Sequence, residues 1–221
     1  MSKNKKVWIP AIIAAFAALL LVASFYYAGY SHEGEALRAR LPGGGGGGLP
    51  AGEAQRPPRD GNEGYGGYFT TLGTIALYVG AAGFSWFWFK KRMKSPSRLV
   101  RRGGKLLFAW HKLMGWITVA LIAIHGTYFL WTKFGDDKIY SGLAGFVILL
   151  TLAGYGYFIH KIRNKWMRTV HRSLGLLWVP VLIVHAGGSA IMAVLAVLVV
   201  GVVVLLLEKN AGTSRQPSSG V

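Results

Sequence analysis

Residues 106–131, LLFAWHKLMGWITVALIAIHGTYFLW, contain one formal charge, Lys112, and two histidines, His111 and His125. A helix needs about 20 predominantly apolar residues to cross the hydrocarbon of a bilayer, so this stretch reads as a membrane span with imidazoles inside it. The two histidines are 14 positions apart. At about 100° of turn and about 1.5 Å of rise per residue, that separation returns the side chain to within about 40° and carries it about 21 Å along the axis. One face of the helix therefore carries a histidine near each side of the bilayer.

The same pattern recurs in residues 168–186, RTVHRSLGLLWVPVLIVHA, where His171 and His185 are again 14 positions apart. His111-Lys112-Leu113-Met114-Gly115 and His171-Arg172-Ser173-Leu174-Gly175 both read His, basic, any, aliphatic or Met, Gly. A single returning span separates the two stretches, so they run in the same direction and their histidines meet level by level, His111 with His171 and His125 with His185. Each facing pair offers two neutral imidazoles to a flat macrocycle standing between the helices, which is what a bis-histidine b-type haem requires. One buried histidine is usually a packing residue. Two matched pairs at helical spacing are not explained that way, because ionisable groups at membrane depth are costly and generally functional.

Other residues are read around these four. Gly115 and Gly175 lie one turn beyond a histidine on the same face, where a missing side chain lets a porphyrin approach the backbone; close helix packing is the other use of such glycines. Lys112, Arg168 and Arg172 lie beside the inner pair and could partner haem propionates, although the positive-inside rule places cations there in any case. Trp178, seven positions after His171, falls midway between the two levels, to shape the gap or to pack. His32 and His160 lack partners of this kind and are read as non-ligands.

The whole chain fits a membrane protein. It has 221 residues, is 52% hydrophobic and carries a net charge of +17. The cations cluster at the ends of apolar runs, as the positive-inside rule demands, and do not line a nucleic-acid-binding face. No cysteine is present, which excludes disulfides, iron–sulfur clusters, thiolate zinc sites and covalent haem attachment. Of the eight acidic residues, all but Glu208 fall in expected outside loops, leaving histidine to hold any metal within the bilayer.

Six spans are expected, at about 7 to 29, 68 to 89, 106 to 131, 139 to 160, 168 to 186 and 189 to 207, the last two joined by a turn at Gly187-Gly188. The expected fold is all-α, a six-transmembrane-helix bundle with two haems stacked between helices 3 and 5. Its parts are an N-terminal transmembrane helix (1–30), a flexible external Gly/Pro-rich loop (31–67) that includes six consecutive glycines at 43 to 48, a haem-binding domain (68–207) and a polar cytoplasmic tail (208–221). The basic loops after the second and fourth spans are cytoplasmic, so both termini lie inside a plasma membrane of bacterial type. The first apolar run is long and lacks a small-x-small cleavage site, so it reads as a retained helix and not a signal peptide. The glycine run has no strand before it and no Gly-Lys-Ser/Thr after it, which argues against phosphate binding.

With these residues in place, the chain resembles the ferric reductase-like transmembrane domain, the six-helix module of ferric reductases, NADPH oxidases and the membrane subunit of bacterial methionine sulfoxide reductase systems. The resemblance covers about residues 68 to 207 and rests on His111, His125, His171 and His185, which match the family's paired haem ligands. It implies two haem b, electrons entering from a cytoplasmic flavin or quinol, and an external acceptor such as ferric iron, oxygen or a partner protein. Many members continue into a flavin and nicotinamide domain. Here only the short tail follows, without a Gly-x-Gly-x-x-Gly turn, so the donor is a separate protein, a bound flavin or a quinol.

The resulting expectation is an electron-transfer subunit of an oxidoreductase, with no acid, base or nucleophile of its own. A quinol-linked di-haem cytochrome working with a partner complex is a related reading. A proton or metal-ion transporter using the histidines as a relay is the alternative from another class, but it would call for midplane carboxylates or broken helices, and only Pro180 hints at one. A purely structural anchor would not need paired histidines.

Overall fold

A computed structural model describes residues 3–40, 63–159, 161–162 and 164–213. Seven helices account for nearly all of them: α1 (Lys3–Arg40), α2 (Glu63–Phe84), the short α3 (Trp86–Phe89), α4 (Arg98–Thr132), α5 (Lys138–Phe158), α6 (Lys165–Ala186) and α7 (Gly188–Thr213). Among the described residues there is no strand, and six of the helices are long and apolar enough to cross a membrane. The expected third and fifth spans are α4 and α6. The glycine run, His160 and residues 214–221 lie outside the described residues.

Several helices outrun the apolar stretches that announced them. α1 continues through residues 31–40 and α2 starts at Glu63, so helix takes in both ends of the expected external loop. Residues 35–40, EALRAR, are strong helix formers, and the composition that suggested a loop belongs to the Gly- and Pro-rich residues between. α4 begins eight residues before the expected span. Ser97, in extended conformation, caps it by accepting a hydrogen bond from the Val100 N–H at 3.4 Å, so Arg98, Arg101, Arg102 and Lys105 are helical. Hydropathy marks the part of a helix inside lipid, whereas capping and propensity set where the helix ends.

Two caps fix the segment that carries the second histidine pair. The Asn164 side chain accepts from the Trp166 N–H at 2.9 Å and opens α6. Gly187, at φ +54°, closes it in a backbone conformation that favours glycine and turns the chain into α7.

The helices pack as two groups. α2 lies along α4, and α5 lies along α6 with α1 against both; α7 bridges the groups by touching α2 and α6. α4 also meets α5, but α4 and α6 are not packed closely on one another. One core cluster joins Val7, Ala11, Tyr155, Met167, Val170 and Leu174, and the Tyr155 hydroxyl donates to the Val7 carbonyl. A second joins Ala18, Ala144, Ile148, Leu149, Trp178 and Val181. Near α3, Arg92 pairs with Glu208 of α7 at 2.7 Å and also donates to the Trp88 carbonyl. The Trp88 ring rests on Gly201, where an added Cβ would stand 2.5 Å from it.

Candidate cofactor site between two helices

The four histidines meet in the space between α4 and α6. His111 faces His171 with ring centroids 6.1 Å apart and planes at 82°, and His125 faces His185 at 6.4 Å and 83°. These pairings require α4 and α6 to run in the same direction, as the single intervening helix dictates. All four rings are half-buried.

Each ring is held through Nδ1 by a helix other than its own. His111 Nδ1 lies 3.0 Å from the Gly83 carbonyl and His125 Nδ1 2.7 Å from the Phe69 carbonyl, both on α2. His171 Nδ1 lies 3.0 Å from the Leu152 carbonyl on α5. His185 Nδ1 lies 3.1 Å from the hydroxyl of Ser141, which itself donates to the Lys138 carbonyl at 2.9 Å. A carbonyl only accepts, so three of the imidazoles carry their proton on Nδ1, and the Ser141 hydroxyl, its proton directed to Lys138, imposes the same tautomer on His185. The lone pair is left on Nε2, the nitrogen a metal would take.

The ring separations suit one metal ion per pair. A metal–imidazole bond of about 2.0 Å on each side, with about 1.1 Å from nitrogen to ring centre, puts two facing centroids about 6 Å apart. Among the described residues no group of three or more His, Cys, Asp or Glu side chains could hold a metal ion. Two imidazoles without a third protein ligand fit a metal that brings its remaining ligands with it, which is the donor set of a bis-histidine haem. No protein-family model, curated protein or solved structure matches the chain.

Trp178 and Thr118 occupy the level between the pairs, each seven positions from both histidines of its helix. Both abut Gly80 of α2, where an added Cβ would come within 3.2 Å of the indole and 3.4 Å of the Thr118 methyl. The buried Trp178 indole donates to the Gly145 carbonyl at 3.0 Å. The side chain is thus both a core residue and the filler of the space separating the two levels.

The remaining expected residues are distributed unevenly. Gly115 is exposed and has no neighbour within 4 Å of an added Cβ, whereas Gly175 is buried, with Phe84 at 3.5 Å from that position. Lys112, Arg168 and Arg172 are exposed at the level of the His111–His171 pair. Lys90, which follows α3, joins them at this end beside Arg172 and Arg168. Partial burial holds the Lys90 amine below its ordinary pKa, with neighbouring Arg172, Arg168 and Lys91 adding to the effect. Cations from the loop after α3 and from α6 therefore converge on one end of the site.

The sequence reading missed the companion residues of the histidines. Gly73, Gly142 and Gly156 lie directly against His125, His185 and His171, and Ser141 is fully buried beside His185. No spacing rule links residues so far apart in the chain.

Proposed function

We propose that the chain is a membrane di-haem b cytochrome that passes electrons across the bilayer, similar in plan to the ferric reductase-like transmembrane domain. The observation that carries this reading is the pair of facing imidazoles at each of two levels, every ring tied through Nδ1 to a neighbouring helix. His111 and His171 would hold one haem and His125 and His185 the other. Bound haem supplies a one-electron Fe(III)/Fe(II) couple at each level.

The chain's own residues do the rest. The Nδ1 hydrogen bonds hold the rings in orientation and raise the basicity of Nε2 toward the metal. Apolar helices exclude water from the path between the levels, and Trp178 fills the space between them. Lys90, Lys112 and Arg172 would offer cationic partners to the propionates of a haem held by His111 and His171. By the positive-inside rule this end is cytoplasmic, both termini lie inside, and the protein sits in a plasma membrane of bacterial type. The donor is then a cytoplasmic flavin or quinol, or a separate protein carrying one, and the acceptor is external, ferric iron or a partner protein.

The test is a pyridine haemochrome assay with reduced-minus-oxidised spectra on the purified protein and on the four single His→Ala variants. The expected result is two haems b per chain, one lost on changing His111 or His171 and the other on changing His125 or His185. A folded wild-type protein without haem would overturn the proposal and favour an ion or proton path through the histidines.

A further inference from the structure

Three of the four histidine rings lie where a side chain is missing from the facing helix. A Cβ added to Gly73 would stand 2.7 Å from His125 Cε1 and Nδ1. One added to Gly142 would stand 2.9 Å from His185 Cε1, and one added to Gly156 would stand 3.2 Å from His171 Cε1. These glycines are placed regularly with respect to the hydrogen bonds. His125 bonds the carbonyl of Phe69, four residues before Gly73, and His171 bonds that of Leu152, four residues before Gly156. The Ser141 hydroxyl that holds His185 is itself bonded to Lys138, four residues before Gly142.

The spacing has a physical meaning. In a helix the side chain of residue i+4 stands beside the carbonyl of residue i, which is why threonine hydroxyls bond back to it. Thr118 to Met114 and Thr151 to Val147 do so here, each at 2.8 Å. A carbonyl already bonded within its helix keeps a second lone pair. With glycine at i+4, the place of a threonine hydroxyl is open, and a donor from another helix can enter. At His111 the arrangement differs, because its acceptor is the carbonyl of Gly83, in the last turn of α2 where carbonyls run out of helical partners.

We infer that Gly73, Gly142 and Gly156 are positioning residues for the haem ligands: each opens a seat on a companion helix in which a histidine ring is held by Nδ1 and its Nε2 is left for the metal. An alanine at any of them drives a Cβ into the ring, breaks the Nδ1 bond or tilts the imidazole, and acts at one level of the site only. Gly73 and Gly142 serve the His125–His185 level, and Gly156 serves the His171 side of the other. The inference deepens the di-haem reading and depends on it for its spectroscopic readout.

The experiment compares full-length wild type with Gly73→Ala, Gly142→Ala, Gly156→Ala and the control Gly154→Ala, whose added Cβ meets nothing within 4 Å. Haem affinity, low-spin EPR signals and midpoint potentials are measured, together with ring-nitrogen NMR of histidine-labelled protein, which reports the proton on Nδ1 whether or not haem is bound. Gly73→Ala and Gly142→Ala are expected to weaken the outer haem about 10- to 100-fold, the usual effect of removing a ligand's outer partner. Gly156→Ala, with the mildest contact, is the variant expected to keep its fold while shifting the signal and potential of the inner haem alone, and Gly154→Ala is expected to change neither. Wild-type spectra and affinities in all three seat variants, or an equal loss in Gly154→Ala, would overturn the inference. If the wild type binds no haem, the di-haem proposal falls and the NMR decides the seats: a displaced Nδ1 proton signal in Gly156→Ala supports them, and an unchanged one overturns them.

Discussion

His111 and His171 meet edge to face, their planes 82° apart, and each plane is fixed from behind by an Nδ1 bond to a different helix, α2 for one and α5 for the other. Rings locked this way do not turn freely about a metal–nitrogen axis. Near-perpendicular axial imidazoles give ferric haem a strongly anisotropic low-spin EPR signal, whereas parallel ones give an ordinary rhombic signal. Both haems are expected to show the strongly anisotropic type, since His125 and His185 stand at 83°. Two rhombic spectra would contradict the ring geometry.

Lys90 predicts a pH dependence. Its folded-state pKa lies below the ordinary 10.5, through burial first and then Arg172 and Arg168. A cation with a depressed pKa opposes folding while it is charged, and the opposition fades as pH rises through the folded pKa toward the unfolded value. The haem-free protein should therefore become more resistant to thermal unfolding as pH climbs toward 10.5, and Lys90→Gln should be more stable than wild type at neutral pH with that pH gain reduced. Thermal melts of both proteins in detergent across this range check the expectation; a Lys90→Gln variant no more stable than wild type at neutral pH argues against it.

Ser141 is the hydroxyl exception among the Nδ1 partners. Ser141→Ala leaves the His185 Nδ1–H without its acceptor and would reduce electron donation from that imidazole to a bound haem iron. The outer haem's midpoint potential is expected to rise and its affinity to fall about 10-fold, with the inner haem unchanged. Redox titration resolving the two haems would show this, and Ser141→Thr, which keeps a hydroxyl, should restore most of the wild-type behaviour.

Gly201 tests packing apart from the site. Its bare Cα admits the Trp88 ring, and an alanine there would place Cβ 2.5 Å from a rigid bicycle. Overpacking of this kind costs about 1–3 kcal/mol. Gly201→Ala should lower the unfolding midpoint while the protein as isolated still contains both haems, as a melt and a haemochrome assay on one preparation would show.

Much of the architecture was legible because lipid imposes a simple code. Long uncharged runs marked six helices that are long and apolar enough to cross a membrane, and the repeated spacing of His111 to His125 and His171 to His185 foretold the level-by-level pairing that the rings adopt. Helix ends were less legible, since the capping by Ser97 and the helix-forming residues after Ser31 act outside the hydrocarbon, where hydropathy carries no signal. The seats at Gly73, Gly142 and Gly156 were not legible at all. A glycine in an apolar helix looks the same whether it faces lipid, a neighbouring helix or an imidazole, and only the three-dimensional approach of α2 to α4 and of α5 to α6 distinguishes them. Lys90 was hidden in the same way among the many cations of its loop.

The loose approach of α4 to α6 bears on how such a protein is made. His111 and His125 are anchored to α2, and His171 and His185 to α5, so each group of helices orients its own two imidazoles. On the di-haem proposal, capture of the prosthetic group would come last, between groups of helices already joined by α7 and by the packing of α4 on α5. Supply of the pigment would then decide how many copies have both levels filled, and not whether the helices assemble.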